Sequence, residues 1–272
     1  MPELPEVETV RRELEQIFLQ DPVIEKVRYR RRDLREVMPQ NLLLVRKLNI
    51  SQVVRRAKYL IFETKQHGAL ISHLGMTGTW RSVPMGSDLG PHDHVILERK
   101  RDWLVFRDPR RFGIFDWAES GPWQDQVRFQ HLGPEPLSAD FTAEYLWQHL
   151  KKRKTAVKVA LMDQELVVGV GNIYASEVLF RARVRPGLSS CRVSLARCWQ
   201  ICEKTKEVLS QAICLGGSSI RDFSGASGYE GSFQTQHFVY GRAREACVIC
   251  ATKIHSKVMG GRSTYWCPLC QK

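Results

Sequence analysis

Pro2, Glu3 and Glu6 bring a secondary amine and two carboxylates together at the start of the chain. With Met1 removed, Pro2 carries a free α-amine; such amines have a pKa of roughly 8, so an unprotonated, nucleophilic fraction exists near neutrality. Amines of this kind attack electrophilic carbons and form Schiff bases, which divide one hard bond cleavage into easier steps. Glu3 and Glu6 are the acid/base partners at hand. The same residues also suit a helix start, where proline loses no hydrogen bond and the dipole favours glutamate. If Met1 persists, the Pro2 nitrogen is an amide, so the chemistry requires its removal. This stretch alone leaves both readings open.

A second chemical signal stands at the far end, where Cys247-x2-Cys250 is followed after sixteen residues by Cys267-x2-Cys270. Two such pairs close a tetrahedral thiolate site with no open position, so one structural zinc ion is expected. Cys191, Cys198, Cys202 and Cys214 show no such spacing and read as ordinary thiols of a helical region. Between the two pairs, Gly260–Trp266 reads as a β-hairpin with Arg262 at its tip, where a guanidinium can reach a phosphate. Asn172, after Val170-Gly171, reads as the N-cap of a helix whose free N–H groups suit an anion. Lys151-Lys152-Arg153-Lys154 with Lys158 is a basic run, either a solvated face or a track for a nucleic-acid backbone. Phe112 among the arginines of Arg107–Gly113, with Met76 of His73–Gly78, offers apolar wedges for a base stack, or a turn anchor and core filler. Lys58 sits among the alternating apolar residues of an expected strand.

These side chains need elements to hold them. Leu4, Val7, Val10, Leu14 and Ile17 recur at helical spacing, so the chain opens with an amphipathic helix. Short β-type runs follow at Ile24–Tyr29, Leu42–Leu48, Val53–Glu63, Val95–Glu98, Trp103–Arg107 and Ile114–Trp117, which suggests an antiparallel sandwich or flattened barrel. The Gly/Pro-rich 119–140 stretch reads as a linker. Helical patterns take over at Ala143–Lys151, Thr155–Asp163, Asn172–Ala182 and Leu195–Cys214. A Gly/Ser-rich loop, Gly216–Gly231, precedes the cysteines. The expected class is α+β.

The balance of 41 basic against 29 acidic residues, a formal charge of +12, favours a polyanionic partner. No apolar run is long enough to span a bilayer, and the charged first twenty residues lack a secretory h-region, so a cytoplasmic protein with reduced thiols is expected. All eight cysteines fall between Cys191 and Cys270, which argues against a disulfide framework for the whole chain.

In this order the motifs are recognisable. Pro2–Thr9, His73–Met76, Asp108–Gly113, Gly169–Glu177 and Gly261–Gln271 resemble those of the bacterial formamidopyrimidine-DNA glycosylases, a family shared with endonuclease VIII. The resemblance spans essentially the full length. It implies a catalytic β-sandwich with an N-terminal helix over 1–118, a linker over 119–140, a helix–two-turn–helix domain with a lesion-capping loop over 141–233 and a zinc finger over 234–272, with double-stranded DNA bound in the cleft. It implies a monomer at the bacterial nucleoid that excises oxidised purines such as 8-oxoguanine and formamidopyrimidines, then cleaves the strand by β,δ-elimination in base excision repair. Carried over, Pro2 forms the Schiff base, Glu3 donates a proton to the departing base and Glu6 supports the pocket. Lys58 and Arg262 serve β- and δ-elimination. Asn172, His92, Arg110, Arg153 and Lys158 contact DNA, and Met76, Arg110 and Phe112 fill the gap left by the flipped base. Ser218, Ser219, Ile220, Arg221 and Tyr240 are assigned to the capping loop, whose presence counts against the alternative of an endonuclease VIII-like enzyme for oxidised pyrimidines. A non-catalytic damaged-DNA-binding protein is the other alternative. Two departures stand out. Ala57 occupies a position where glycine is usual before the lysine, and Ala251 one where glycine usually follows the second cysteine.

Overall fold

The structure, a computed structural model, describes residues 2–66, 68–218 and 231–272. The chain divides into two compact units, Met1–Gln130 with the described part of Gly216–Ser232, and His131–Leu215 with Phe233–Lys272.

The first unit opens with helix α1, Leu4–Gln20, which buries Leu4, Val7, Val10, Leu14 and Phe18 at steps of three and four residues. Eight strands follow: β1 Val23–Tyr29, β2 Arg46–Arg56, β3 Tyr59–Thr64, β4 Ala69–His73, β5 Thr79–Pro84, β6 Asp93–Glu98, β7 Asp102–Arg107 and β8 Ile114–Ala118. They pair antiparallel in the order β5-β7-β6-β1-β2-β3-β4-β8. The eleven-residue β2 joins the halves, pairing with β1 along its first part and with β3 along its second. Trp80 on β5 meets Phe62 on β3 at 5.7 Å and Phe115 on β8 at 6.0 Å, so the two halves face each other as a sandwich with an aromatic centre. Helix α1 lies against β2 and β3 through Phe18 on Phe62 and through Arg11, which donates to the Val53 carbonyl at 3.1 Å.

Several strand expectations are corrected. Leu42–Leu48 is not one strand: a 3-10 turn, Asn41–Leu44, precedes β2. Val53–Glu63 is two strands joined by the two-residue loop Ala57-Lys58, with Arg56 opposite Tyr59. Lys58 therefore sits in a tight turn rather than within a strand. Ala57 adopts φ 54°, the II′ turn pattern, where only a missing Cβ is free of strain. Residues beyond 118 also pack on the sandwich: Trp123 Nε1 donates to Glu63 at 2.6 Å, and Phe129, on the short helix α2 Val127–Gln130, meets Tyr59 at 5.2 Å.

The second unit holds α3 Ala143–Leu150, α4 Val157–Leu161, α5 Asn172–Arg181 and α6 Leu195–Cys214, then the hairpin β9 His255–Met259 and β10 Arg262–Trp266. Thr142 and Ser194 cap α3 and α6 by accepting from the Tyr145 and Arg197 N–H groups. The expected bounds of α6 stand, whereas the hairpin begins at His255: Gly260–Trp266 is only its turn and second strand, and Arg262 opens that strand opposite Met259 rather than forming the tip. Gly171, not Asn172, is the N-cap of α5; Asn172 is its first helical residue. The finger is continuous with the helices: Phe238 stacks on Phe180 of α5 at 5.5 Å, and Gln271 donates to the Val184 carbonyl at 2.9 Å.

Ala251 adopts φ 59° on the finger surface. Ala251→Gly is expected to stabilise the second unit by about 1 kcal/mol, seen as a higher melting midpoint. Ala57→Gly gains less, because the Ala57 methyl is buried and its loss offsets the relief.

Candidate functional site

In the first unit the chemistry gathers at the start of α1. Pro2 is buried, and Glu3 and Glu6 are each only 2% exposed. Glu3 is the N-cap and Glu6 the third helical residue; the Glu6 carboxylate accepts from the Glu3 N–H at 2.8 Å in a reciprocal capping box. The other Glu6 oxygen accepts from the Ser218 N–H at 2.7 Å. One fully engaged carboxylate thus fixes the peptide next to Pro2 and the residues that lead into 219–230. Of the assigned capping residues, Ser219, Ile220 and Arg221 lie outside the described residues.

Lys58 is 8% exposed in its turn. Beside it, His73 is held neutral, its pKa lowered to about 4 by burial and then by the charges of Lys58, Arg35 and Arg128. Its Nδ1 accepts from the Gly75 N–H at 2.9 Å, and its ring packs on Tyr59 at 4.7 Å.

Met76, Arg110 and Phe112 emerge together from two turns that a fully buried Asp108 holds side by side. The Asp108 carboxylate accepts from Thr77 Oγ1 at 2.6 Å and from the Gly113 N–H at 2.7 Å. A Cβ on Gly75 would lie 2.4 Å from the Phe112 carbonyl carbon, so only glycine permits this approach. Phe112 and Met76 remain 43% and 38% exposed, and the Arg110 guanidinium lies 4.8 Å over the Phe112 ring. The neighbouring His92 is tied in through its carbonyl, which accepts from the Asp108 N–H at 2.9 Å.

The second unit holds the remaining candidates. Lys158 is not part of an exposed basic run: it is fully buried. Its ammonium donates to Asn172 Oδ1, to the Ser263 carbonyl at 3.1 Å and to Thr264 Oγ1 at 2.8 Å. The charge that spacing assigned to a nucleic-acid backbone instead joins α4, the start of α5 and the finger hairpin. Its neighbours Lys151, Lys152 and Lys154 are exposed, and Arg153 is paired with Asp163. Arg262, exposed, follows the Gly260-Gly261 turn, whose positive φ values of 54° and 71° give the tight I′ form.

Sequence reasoning missed Glu177. Fully buried on α5, it accepts from the N–H groups of Phe238, Val239 and Tyr240 at 2.9, 3.0 and 2.8 Å. Burial raises its pKa while those three bonds oppose the shift. The signal was the one carboxylate of α5, within the otherwise uncharged stretch 173–180. Tyr240, so anchored, packs 5.3 Å from Tyr265 on β10.

The four cysteines form the one candidate metal cluster among the described residues, their Sγ atoms all within 4.8 Å of one another. That spacing fits tetrahedral thiolates about one structural zinc. Side-chain and backbone hydrogen bonds from Thr252 lower Cys250 to about 6, whereas burial raises Cys267 and Cys270, an effect a bound divalent ion offsets. Ala251 occupies the knuckle directly after Cys250.

A buried Pro2 ahead of a capped helix on an antiparallel sandwich, with a helical unit carrying a four-cysteine finger, defines a zinc-finger protein of modular build. Each module matches a family profile: the formamidopyrimidine-DNA glycosylase N-terminal domain over 1–115, the formamidopyrimidine-DNA glycosylase H2TH domain over 132–224, and the zinc finger found in FPG and IleRS over 244–272. The chain belongs to the formamidopyrimidine-DNA glycosylase family. It is 50% identical to the enzyme of that name from Bdellovibrio bacteriovorus and 41% identical to that from Pasteurella multocida, covering all of each. Among solved structures, MutM (Fpg) from Thermus thermophilus superimposes with a TM-score of 0.88 at 37% identity, covering 99% of this chain and 98% of that one. A Lactococcus lactis Fpg variant in complex with Fapy-dG-containing DNA gives 0.91 at 35% identity over the full length of both. MutM in complex with DNA carrying carbocyclic 8-oxo-G gives 0.90 at 35%, also over both full lengths.

Lys158→Met should lower the stability of the second unit by about 2 kcal/mol, because it removes the donor of the buried Thr264 Oγ1 and of two part-buried acceptors, Asn172 Oδ1 and the Ser263 carbonyl. Thermal unfolding that follows the finger and helices separately from the sandwich checks this.

Proposed function

We propose that the chain is a bifunctional DNA glycosylase and AP lyase that removes oxidised purines and cleaves the resulting abasic site. The observation that carries the reading is the buried Pro2-Glu3 start, held by Glu6 at the cap of α1 in a chain of this family. After Met1 removal, the Pro2 nitrogen attacks C1′ of the flipped nucleoside. The C1′–N bond breaks, its electrons leave with the base, and Glu3 supplies the proton. The C1′–O4′ bond then opens, O4′ taking up the proton that the Pro2 nitrogen loses, and the resulting Schiff base makes the neighbouring C2′ proton acidic. Lys58 acts in β-elimination and Arg262 in δ-elimination. Asn172 grips the phosphate beside the lesion, and His92, Arg110 and Arg153 contact the DNA. Lys158 acts indirectly, by holding Asn172 and the hairpin that carries Arg262. Met76, Arg110 and Phe112 fill the vacancy left by the extruded base, a role their joint exposure suits. Ser218 to Arg221 and Tyr240 belong to the base-capping segment. The proposal includes a monomer acting in the bacterial cytoplasm at the nucleoid; no helix among the described residues is long and apolar enough to cross a membrane.

Oxidised purines are favoured by the relatives' complexes with Fapy-dG and 8-oxo-G DNA. A Lactococcus lactis Fpg complex with oxidised-pyrimidine DNA keeps that substrate as the second reading.

Borohydride is expected to trap the wild-type protein covalently on duplexes carrying 8-oxoguanine opposite cytosine, with trapping lost or greatly weakened in Pro2→Gly. Tight binding with neither adduct nor strand cleavage would replace this reading with a non-catalytic one, and trapping confined to an oxidised pyrimidine would change the substrate. Intact-mass analysis of the active protein should show Met1 removed. Stripping the zinc is expected to abolish DNA binding while the sandwich still melts as in the loaded protein, since all four ligands and Arg262 share one small element. Undiminished affinity in a zinc-free sample would contradict this.

A further inference from the structure

We infer that Glu6 is a positioning residue that couples the stem of segment 219–230 to the N-terminal amine, and that Gly217 is the residue that keeps this coupling in register. The inference rests on the Pro2 mechanism proposed above and concerns how that amine is set in place.

Three observations carry it. The two Glu6 oxygens are divided between two backbone donors far apart in the chain, the Glu3 N–H at 2.8 Å and the Ser218 N–H at 2.7 Å, and the group is 2% exposed. A carboxylate is planar and rigid, so moving one oxygen moves the other. Gly217 adopts φ +80°, and a Cβ there would lie 2.7 Å from Glu6 Oε1. Gly231, on the returning arm, could carry no side chain either, since its Cβ would lie 2.3 Å from the Gly216 and Gly217 carbonyl oxygens. Ser218 and Ser232 then pair as an antiparallel bridge. The stem is therefore built from glycines so that two backbones can close on one carboxylate. Through the Glu3 N–H, that carboxylate sets the peptide whose carbonyl belongs to Pro2. A displacement at the stem reaches the amine without passing through any base held in the pocket.

An abasic substrate isolates this effect, because it offers no base to cap. Single-turnover borohydride trapping on a duplex with a preformed abasic site should be slowed roughly ten- to a hundredfold by Gly217→Ala, with duplex affinity and zinc content as in wild type and the first unit still unfolding cooperatively, its midpoint lowered by the strain of a Cβ at φ +80°. Glu6→Gln, which keeps one acceptor oxygen and loses the other, should slow the same step. In the double variant the two losses should fail to multiply, because both act through one contact. Wild-type trapping without any slowing in Gly217→Ala would overturn the coupling while leaving the amine mechanism intact. Losses that multiply in the double variant would also overturn it. A wild-type protein that traps nothing would remove the mechanism itself. Should Gly217→Ala fail to fold, an amide-to-ester replacement of the 217–218 peptide bond, which deletes the Ser218 N–H donor without adding bulk against Glu6, takes its place in the same cycle.

Discussion

The first unit depends on the capping of one helix. A helix N-terminus leaves backbone N–H groups without intrahelical partners, and here the side chains that answer that need are also the acid/base groups of the proposed chemistry. Glu3 and Glu6 are held by helix capping, and the helix in turn by the apolar stripe that packs Leu4, Val7, Val10, Leu14 and Phe18 on the sandwich. Pro2 is therefore placed by the core, although it stands at the end of the chain. On the proposed mechanism, that is how a residue next to the chain start, normally among the least ordered parts of a protein, is held in place to act as a nucleophile.

The second unit solves a similar problem with charge. Lys158 and Glu177 are both fully buried, one with three acceptors around it and the other with three donors. Leaving such groups unsatisfied away from water would be costly, so each tolerates only one arrangement of its neighbours. Lys158 fixes the finger hairpin to the helices, and Glu177 fixes the chain that enters the finger. The small cysteine cluster is thus attached on both sides by polar contacts with little room to slip.

What could be read in the sequence follows from how far apart the determining residues lie. The zinc ligands and the bounds of α6 were legible because spacing and caps are local. The Ala57-Lys58 turn was not, since the glycine that announces a II′ loop is absent and the apolar alternation runs straight through it. The strand β4 was missed because almost every residue from Ala69 to His73 is buried and no alternation shows. Lys158 reads like its lysine neighbours until the hairpin, more than a hundred residues away, supplies its partners. The Asn172 cap failed by a single residue, Gly171 taking the place in extended geometry. The candidate residues at the amino terminus were nominated by type, while the carboxylate that ties them to Ser218 involves a contact across 212 positions that no local pattern encodes.

That separation has a consequence for biogenesis. A ribosome releases the amino terminus first, and α1 and the strands can assemble soon after, yet the Ser218 donor emerges only when about four-fifths of the chain has been made. The loop that must close to bring it back spans the sandwich and all the helices of the second unit, so its formation is late and slow on topological grounds. A nascent or truncated chain would carry the proline and both glutamates without the full set of contacts around Glu6. The contacts around Glu6 are complete only once residue 218 has been made, so on a shorter nascent chain the proposed Pro2 nucleophile lacks its full setting.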